Sequence, residues 1–241
     1  MKTEGRNSVR ELIRSGRTVD KILIANGTRD AEGEELLKEI RRSGVKFQFT
    51  DKSVLDRESG SGRHQGFIAY SSDYAYSELA DIISAAENKE NSLVVISDGV
   101  EDPHNLGSVI RVCECGGADG LIIGKRRSAS VTDAVMRISE GSANHVRIAK
   151  VTNINSAIDE LKKSGFWIYA LELGGENIYK TSLKGRIALV LGGEDTGVNR
   201  LTREKCDGIL TIPMRGKVNS LNASVACGVA VFEYVRQTEN V

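Results

Sequence analysis

Residues Ile209–Ala226 read ILTIPMRGKVNSLNASVA, and the fold is decided by how this stretch is divided. Ile209-Leu210-Thr211-Ile212 is a short apolar strand, stopped by Pro213, which fixes φ and removes a donor. A basic turn follows, Met214-Arg215-Gly216-Lys217, and then the polar run Asn219-Ser220-Leu221-Asn222, which opens a helix of mostly small residues. A strand that feeds a helix through a polar turn presents free backbone N–H groups and the positive end of a helix dipole. Two more junctions of this kind lie upstream, at Ser97–Gly107 and Leu191–Arg200. The chain's two prolines, Pro103 and Pro213, both fall in such junctions.

Outward from there, the second part of the chain alternates strand and helix. Apolar runs at Leu93–Ser97, Gly120–Gly124, Val146–Ala149, Trp167–Leu171, Ala188–Gly192 and Ile209–Ile212 predict strands. Helical stretches are expected near Gly107–Cys115, Val131–Glu140, Ala157–Lys163, Asn199–Cys206 and Leu221–Arg236, with Ser156 and Asp159 as a capping pair. Continuous apolar strands alternating with helices imply a parallel sheet covered on both faces. Ligands of such sheets bind at the carboxyl ends of the strands, where all three junctions fall.

Residues 1–75 read as a separate small α/β domain, 76–92 as a linker and 93–241 as the second domain. In the first, Ser8 and Glu11 form a capping box ahead of Leu12-Ile13. Lys21–Ala25, Lys46–Phe49 and Gly66–Tyr70 predict strands, and Glu34–Arg42 a helix with Leu36, Leu37 and Ile40 on one face. Ser59–Gly66 is glycine-rich, basic and aperiodic, an exposed loop in which Arg63 and His64 are the most accessible polar groups. Ser77–Ala86 is a short helix, and Glu87–Ser92 has no apolar position.

The chain has 241 residues, 40% hydrophobic and 27% charged, with a formal net charge of +0. Residues 1–90 hold 15 basic and 16 acidic side chains, so neither half is a polycation. Any RNA contact must therefore rely on local clusters and fit. Lys125-Arg126-Arg127, Arg215 and Lys217 are such clusters near the proposed site, although a charge run is often only a solvated face. The four cysteines include a C-x-C at Cys113 and Cys115 without the spacing of a zinc site, and no metal is expected. No apolar run approaches a membrane span, and no leader-like segment opens the chain, which together predict a cytoplasmic protein.

Each junction taken alone has a structural reading beside the functional one. Asn105 and Ser220 can be helix caps, Arg111 a solvated helix residue, and Glu194 a complement to the next helix dipole. The second junction is not a nucleotide-phosphate loop, since Val198-Asn199 stands where Lys-Ser/Thr is required. That counts against a nucleotide-phosphate hydrolase.

Taken jointly, N-L-G-S-V-I-R from Asn105, L-G-G-E-x-x-G-V from Leu191 and I-P-M-x-G-x-V-x-S-L-N-A-S-V-A from Ile212 resemble the three signature motifs of the SPOUT RNA methyltransferases, in their TrmH branch. The first domain is similar to that branch's ribosomal-protein-like substrate-binding extension, with Gly5-Arg6-Asn7 and His64-Gln65-Gly66 as typical pieces. The two-domain layout is most similar to members that methylate a guanosine in 23S ribosomal RNA. The resemblance implies a deep trefoil knot in the C-terminal half and a homodimer packed through it. It implies S-adenosylmethionine as co-substrate, held at Gly192, Ile212 and Leu221 with Leu191, Gly193 and Met214 alongside. It also implies a ribose 2′-hydroxyl acceptor facing Asn105, Arg111, Glu194, Ser220 and Asn222, with Glu194 and Asn222 orienting Arg111. A sister activity on transfer RNA, and a non-catalytic RNA-binding assembly factor, are the other readings.

Overall fold

The computed structural model describes residues 2–14, 19–28, 30–71, 74–194, 196–217 and 220–239. Asn219, named in the polar run before the last helix, and Asp195, within the second junction, lie outside them. The chain divides into two compact units, Met1–Ala75 and Tyr76–Val241.

The first unit runs β1 (Lys2–Glu4), α1 (Arg6–Arg14), β2 (Val19–Ala25), α2 (Ala31–Ser43), β3 (Phe47–Thr50), α3 (Lys52–Glu58) and β4 (Phe67–Ser71). Its sheet has the order β1-β4-β2-β3, with β2 and β3 parallel and the other pairs antiparallel. Helix α2 buries Leu36, Leu37 and Ile40, the face its periodicity predicts. It is capped by Asp30, whose carboxylate accepts from Gly33 N–H at 2.8 Å. Helix α1 starts earlier than a Ser8 cap would allow. Gly5, with φ of +90°, turns the chain, and its carbonyl takes the Val9 N–H, so Ser8 and Glu11 are exposed residues inside the helix. The loop 59–66 is fastened rather than loose: Glu4 accepts from the Ser59 and Ser61 hydroxyls, both at 2.6 Å, and from Gly60 N–H at 2.8 Å.

The second unit begins with α4 (Leu79–Ala86), followed by β5 (Ser92–Asp98), α5 (Pro103–Cys115), β6 (Gly120–Gly124), α6 (Asp133–Ile138), β7 (Ile148–Val151) and α7 (Ile154–Lys163). It continues through β8 (Trp167–Asn177), β9 (Arg186–Gly192), α8 (Arg200–Lys205), β10 (Gly208–Thr211) and α9 (Ala223–Thr238). The six strands lie in the order β10-β8-β9-β5-β6-β7, every pair parallel. The segment 76–92 is therefore not a linker. Ile82 and Ala86 of α4 are buried in one core cluster with Val94, Ile96, Ile122 and Ala149 of the sheet and Ile158 and Leu161 of α7. The polar run 87–91 has the composition of a boundary, but it is only the turn between that helix and β5.

Alternation along each strand sends the other side chains to the opposite face, where α5 and α9 pack against one another and against the sheet. Helix α7 is capped by Asn153, which accepts from Asn155 and Ser156 N–H, so Ser156 is a first-turn residue and not the cap. No helix among the described residues is long and apolar enough to cross a membrane.

The strand order reverses beside β5. From β5 the chain builds outward through β6 and β7, then returns to build β8, β9 and β10 on the other flank. The loops after β5 and β9 thus leave neighbouring strand ends in opposite directions, which opens a crevice at the carboxyl edge.

Candidate active site

Three loops meet at that crevice. Asp102 caps α5, accepting from His104 N–H at 2.6 Å, and Pro103 occupies the first helical position where its missing N–H costs nothing. Asn105 is therefore not the cap; it sits in the first turn of α5, 8% exposed. Nor is Ser220 the cap of α9. Asn222 is, its Oδ1 accepting from Ser224 N–H at 3.0 Å and from the Ser224 hydroxyl at 2.6 Å.

The other end of the Asn222 amide joins the loops. Its Nδ2 donates to Asn105 Oδ1 at 2.9 Å and to Glu194 Oε1 at 2.6 Å. The amide's orientation is dictated by its partners, since an ionised carboxylate only accepts and a backbone N–H only donates. One side chain thus ties together residues 117 and 28 positions away in sequence. Ser220 and Leu221 are exposed immediately before it, Leu221 at 38% despite its apolar side chain.

The loop after β9 is held by two acids that sequence reasoning missed. Asp98, the last residue of β5, accepts from Asn199 N–H at 2.9 Å, and Glu172 of β8 accepts from Val198 N–H at 2.8 Å. The loop's glycines allow it to fold this closely. A Cβ on Gly193 would stand 2.5 Å from the Gly99 carbonyl oxygen, and one on Gly192 would fall on the Gly197–Val198 peptide. Asp98 directly follows the predicted strand Leu93–Ser97, which the structure extends by one residue to include it. Glu172 carried no local signal, because its reach depends on a register break in which β10 residues Ile209 and Leu210 pair with Ala170 and then Glu176, leaving 171–175 to bulge from β8.

Arg111 stands apart from this cluster. It lies six residues beyond Asn105, about 9 Å along the helix axis at 1.5 Å per residue. Its Nη1 pairs with Glu140 Oε1 at 2.7 Å, both side chains exposed. Glu194 and Asn222 therefore do not orient Arg111; Glu140 does, from a backbone with φ of +49° that non-glycine residues seldom adopt.

Leu191 is buried at the end of β9, and Gly192, Ile212 and Met214 are half-buried, the last two just past the end of β10. Because the sheet is parallel, all lie at the same carboxyl edge as the Asn222 junction. Lys125, Arg126 and Arg127 follow β6, Arg215 and Lys217 follow β10, and all five are exposed. In the first unit Arg63 is exposed, but His64 is not. It is 4% exposed, with Nε2 bonded to Asp56 at 2.8 Å and Nδ1 accepting from Gly66 N–H at 3.0 Å. Both ring nitrogens are used in shaping the loop, so His64 is a structural group and not an exposed RNA contact. Cys113 and Cys227 are buried; the neighbouring Cys227 sulfur and burial together push the Cys113 thiol up, which keeps it protonated.

An S-adenosyl group would need apolar walls, backbone partners and an approach for the acceptor. The exposed Leu221, the half-buried Ile212 and Met214, and a glycine loop pinned at the crevice fit that requirement. The described residues contain no group of three or more His, Cys, Asp or Glu arranged to hold a metal ion.

Comparison with known proteins agrees with the layout. Residues 92–232 match the SpoU rRNA methylase family, and residues 3–77 match the RNA 2′-O ribose methyltransferase substrate-binding family. A protein of Staphylococcus haemolyticus named as a TrmH-family tRNA/rRNA methyltransferase is 40% identical over 239 residues, covering 98% of this chain and 96% of its own. Bacillus subtilis YacO, named in the same way, is 37% identical over 240 residues with the same coverage. Among solved structures, the SpoU methyltransferase AviRb of Streptomyces viridochromogenes in complex with AdoMet superposes with a TM-score of 0.61, at 23% identity, over 98% of this chain and 90% of its own. The A. aeolicus TrmH/SpoU tRNA modifying enzyme superposes at 0.56, with 30% identity, over 66% and 81%. With its parallel-sheet unit matched almost end to end and a substrate-binding unit ahead of it, the chain belongs to the SpoU rRNA methylase family of RNA methyltransferases.

Proposed function

We propose that the protein transfers a methyl group from S-adenosylmethionine to a ribose 2′-hydroxyl of 23S ribosomal RNA, at a guanosine. The observation that carries this reading is the Asn222 amide bonded at once to Asn105 and Glu194, which brings three motif loops to one crevice. The family and the substrate-binding unit support an RNA ribose acceptor. The AdoMet complex of AviRb, which shares the fold, supports the co-substrate.

When bound, S-adenosylmethionine supplies a methyl on a sulfonium, open to in-line displacement. The hydroxyl must be aligned behind that carbon and must lose its proton to solvent as the O–C bond forms and the S–C bond breaks, leaving the sulfur as a neutral thioether. Gly192, Ile212 and Leu221 offer backbone groups to the adenosyl part, and Leu191, Gly193 and Met214 line it. Asn105, Glu194 and Asn222 fix the acceptor side, with Ser220 hydrogen-bonding the ribose. Arg111 exchanges Glu140 for the phosphate or ribose of the acceptor nucleotide and stabilises the developing alkoxide. Lys125, Arg126, Arg127, Arg215 and Lys217 bind flanking phosphates, and Arg63 serves the first unit.

Two structural expectations belong with this reading. The last helix is threaded as a trefoil knot, which the pinned glycine loop at Gly192 and Gly193 supports. The protein is a homodimer through α9, which exposes Val225 at 51% and Phe232 at 49%, seven residues apart and so on one face.

The test is transfer of labelled methyl to ribosomal RNA from cells lacking the protein, with the product mapped for 2′-O-methyl marks. One mark in 23S RNA, lost with Asn105→Ala, is the expected result. A mark on transfer RNA alone would replace the substrate, and two tRNA-directed proteins among the structural neighbours make that the second reading. Absence of S-adenosylmethionine binding by calorimetry would leave only the assembly-factor reading.

A further inference from the structure

The first unit holds a cavity of about 730 Å³ that its sequence did not announce. Its walls are the turn after β2 (Asn26, Gly27, Thr28), the start of α3 at Lys52, and the 62–66 loop. The two motif pieces at Gly5-Arg6-Asn7 and His64-Gln65-Gly66 meet here. Arg6 N–H donates to Gln65 Oε1 at 3.1 Å, and Arg6 Nε donates to the Gln65 carbonyl at 3.3 Å. On the facing side, Gly66, at φ of +84°, admits Thr28 so closely that a Cβ there would lie 2.5 Å from its hydroxyl. The cavity is built by specific contacts and is not a gap between loose turns.

Its charge is not balanced. Among the described lining residues, Asp30 is paired with Arg6 at 2.6 Å, and Asp56 is hydrogen-bonded to His64 at 2.8 Å through a ring whose other nitrogen is an acceptor, so three cations, Arg6, Lys52 and Arg63, stand against two acids. Lys52 and Arg63 are exposed at the mouth and form no ion pair among the described residues. Among the described residues the lining carries no phenylalanine, tyrosine or tryptophan, so a guest would be held by hydrogen bonds from groups such as Asn26 and Thr28 and by the cations.

We propose that this cavity receives a single unpaired nucleotide of RNA, with its phosphates on Lys52 and Arg63. This deepens the function proposed above and rests on its RNA substrate. A hollow of this volume suits a small ligand. A paired strand keeps its bases stacked and presents a convex backbone, so only a nucleotide out of the stack can enter. The site would then recognise a loop or bulge and not a continuous helix.

The experiment compares the full chain with the Lys52→Ala/Arg63→Ala variant, by fluorescence anisotropy of a labelled mixed-sequence 12-nucleotide single strand and of a blunt RNA duplex of equal length. Wild type should favour the single strand. The variant should lose that preference, bind the single strand about tenfold more weakly, and show a salt slope smaller by about 1.4, from about 0.7 for each of two phosphates left unneutralised. Equal single-strand affinity and slope in variant and wild type would overturn the proposal, as would a wild-type preference for the duplex. Calorimetry with S-adenosylmethionine on both proteins separates the two readings. Unchanged co-substrate binding alongside lost RNA preference supports the cavity, whereas a wild type that binds no co-substrate refutes the reaction while the RNA comparison still decides the cavity.

Discussion

Asn222 does two jobs with one amide, capping α9 through Oδ1 and bridging Asn105 and Glu194 through Nδ2. The two can be separated. Aspartate caps a helix as well as asparagine but has no N–H to donate and sets a second carboxylate against Glu194. Asn222→Asp should therefore keep the melting temperature within a few degrees while methyl transfer falls about a hundredfold, the scale of losing one positioned donor at a reacting oxygen. Asn222→Ala should lose both, with about 1 kcal/mol of cap stability gone as well. A second residue-scale expectation concerns acid. The Ser59 hydroxyl, then the Ser61 hydroxyl and the Gly60 N–H, hold the Glu4 carboxyl down from an ordinary 4.5 to about 2. A carboxyl lowered by folding contributes stability above its unfolded value and loses it as pH falls toward the folded one. Wild type should be more stable than Glu4→Gln at pH 7, and the gap in melting temperature should close as pH falls from 4.5 to about 2.

At the scale of elements, the loop after β9 is positioned by strands on either side of it. Asp98 and Glu172 grip the adjacent amides of Asn199 and Val198, and hydrogen bonds to a charged acceptor are worth about 1.5–3 kcal/mol each. Glu172→Ala should weaken S-adenosylmethionine binding about tenfold by calorimetry, and Glu172→Gln, which keeps an acceptor oxygen, should recover most of it. Equal binding in both would remove Glu172 from the site. Helices α5 and α6 meet at Gly107, where a Cβ would lie 2.6 Å from Ile138 Cγ2. Gly107→Ala should cost about 1–3 kcal/mol by overpacking, read as a lowered denaturant midpoint. The strands of the second unit were legible because buried parallel strands are continuous apolar runs. Helix starts were less so: Ser8, Ser156, Asn105 and Ser220 all have capping chemistry, yet Gly5, Asn153, Asp102 and Asn222 open the helices. Several nearby residues can cap, and packing of the apolar face chooses among them. The short β1 and α3 were not legible, because three and seven residues carry too little periodicity to register.

For the whole molecule, the proposed dimer makes the apolar surface of α9 testable. Phe232→Glu should yield monomers in sedimentation velocity with the fold intact by circular dichroism, because the side chain is already half exposed. A wild type that sediments as a monomer would dismiss the dimer without touching the site. With no net charge to steer RNA, affinity should rest on local cations, so methylation should decline steeply with added salt.

From the sequence alone came the alternating parallel-sheet unit, the separate domain ahead of it, and the three junctions with Asn105, Glu194 and Asn222 in them. These are local: periodicity, turn chemistry and motif spacing are properties of neighbouring residues. What only the tertiary structure decided are the pairings across long separations. It buried His64 against Asp56, gave Arg111 to Glu140, set Glu172 on a loop 26 residues away, and packed Ile82 and Ala86 of α4 into the core of the second unit. A side chain's partner is chosen by strand order and register, and those are fixed only when the whole sheet assembles.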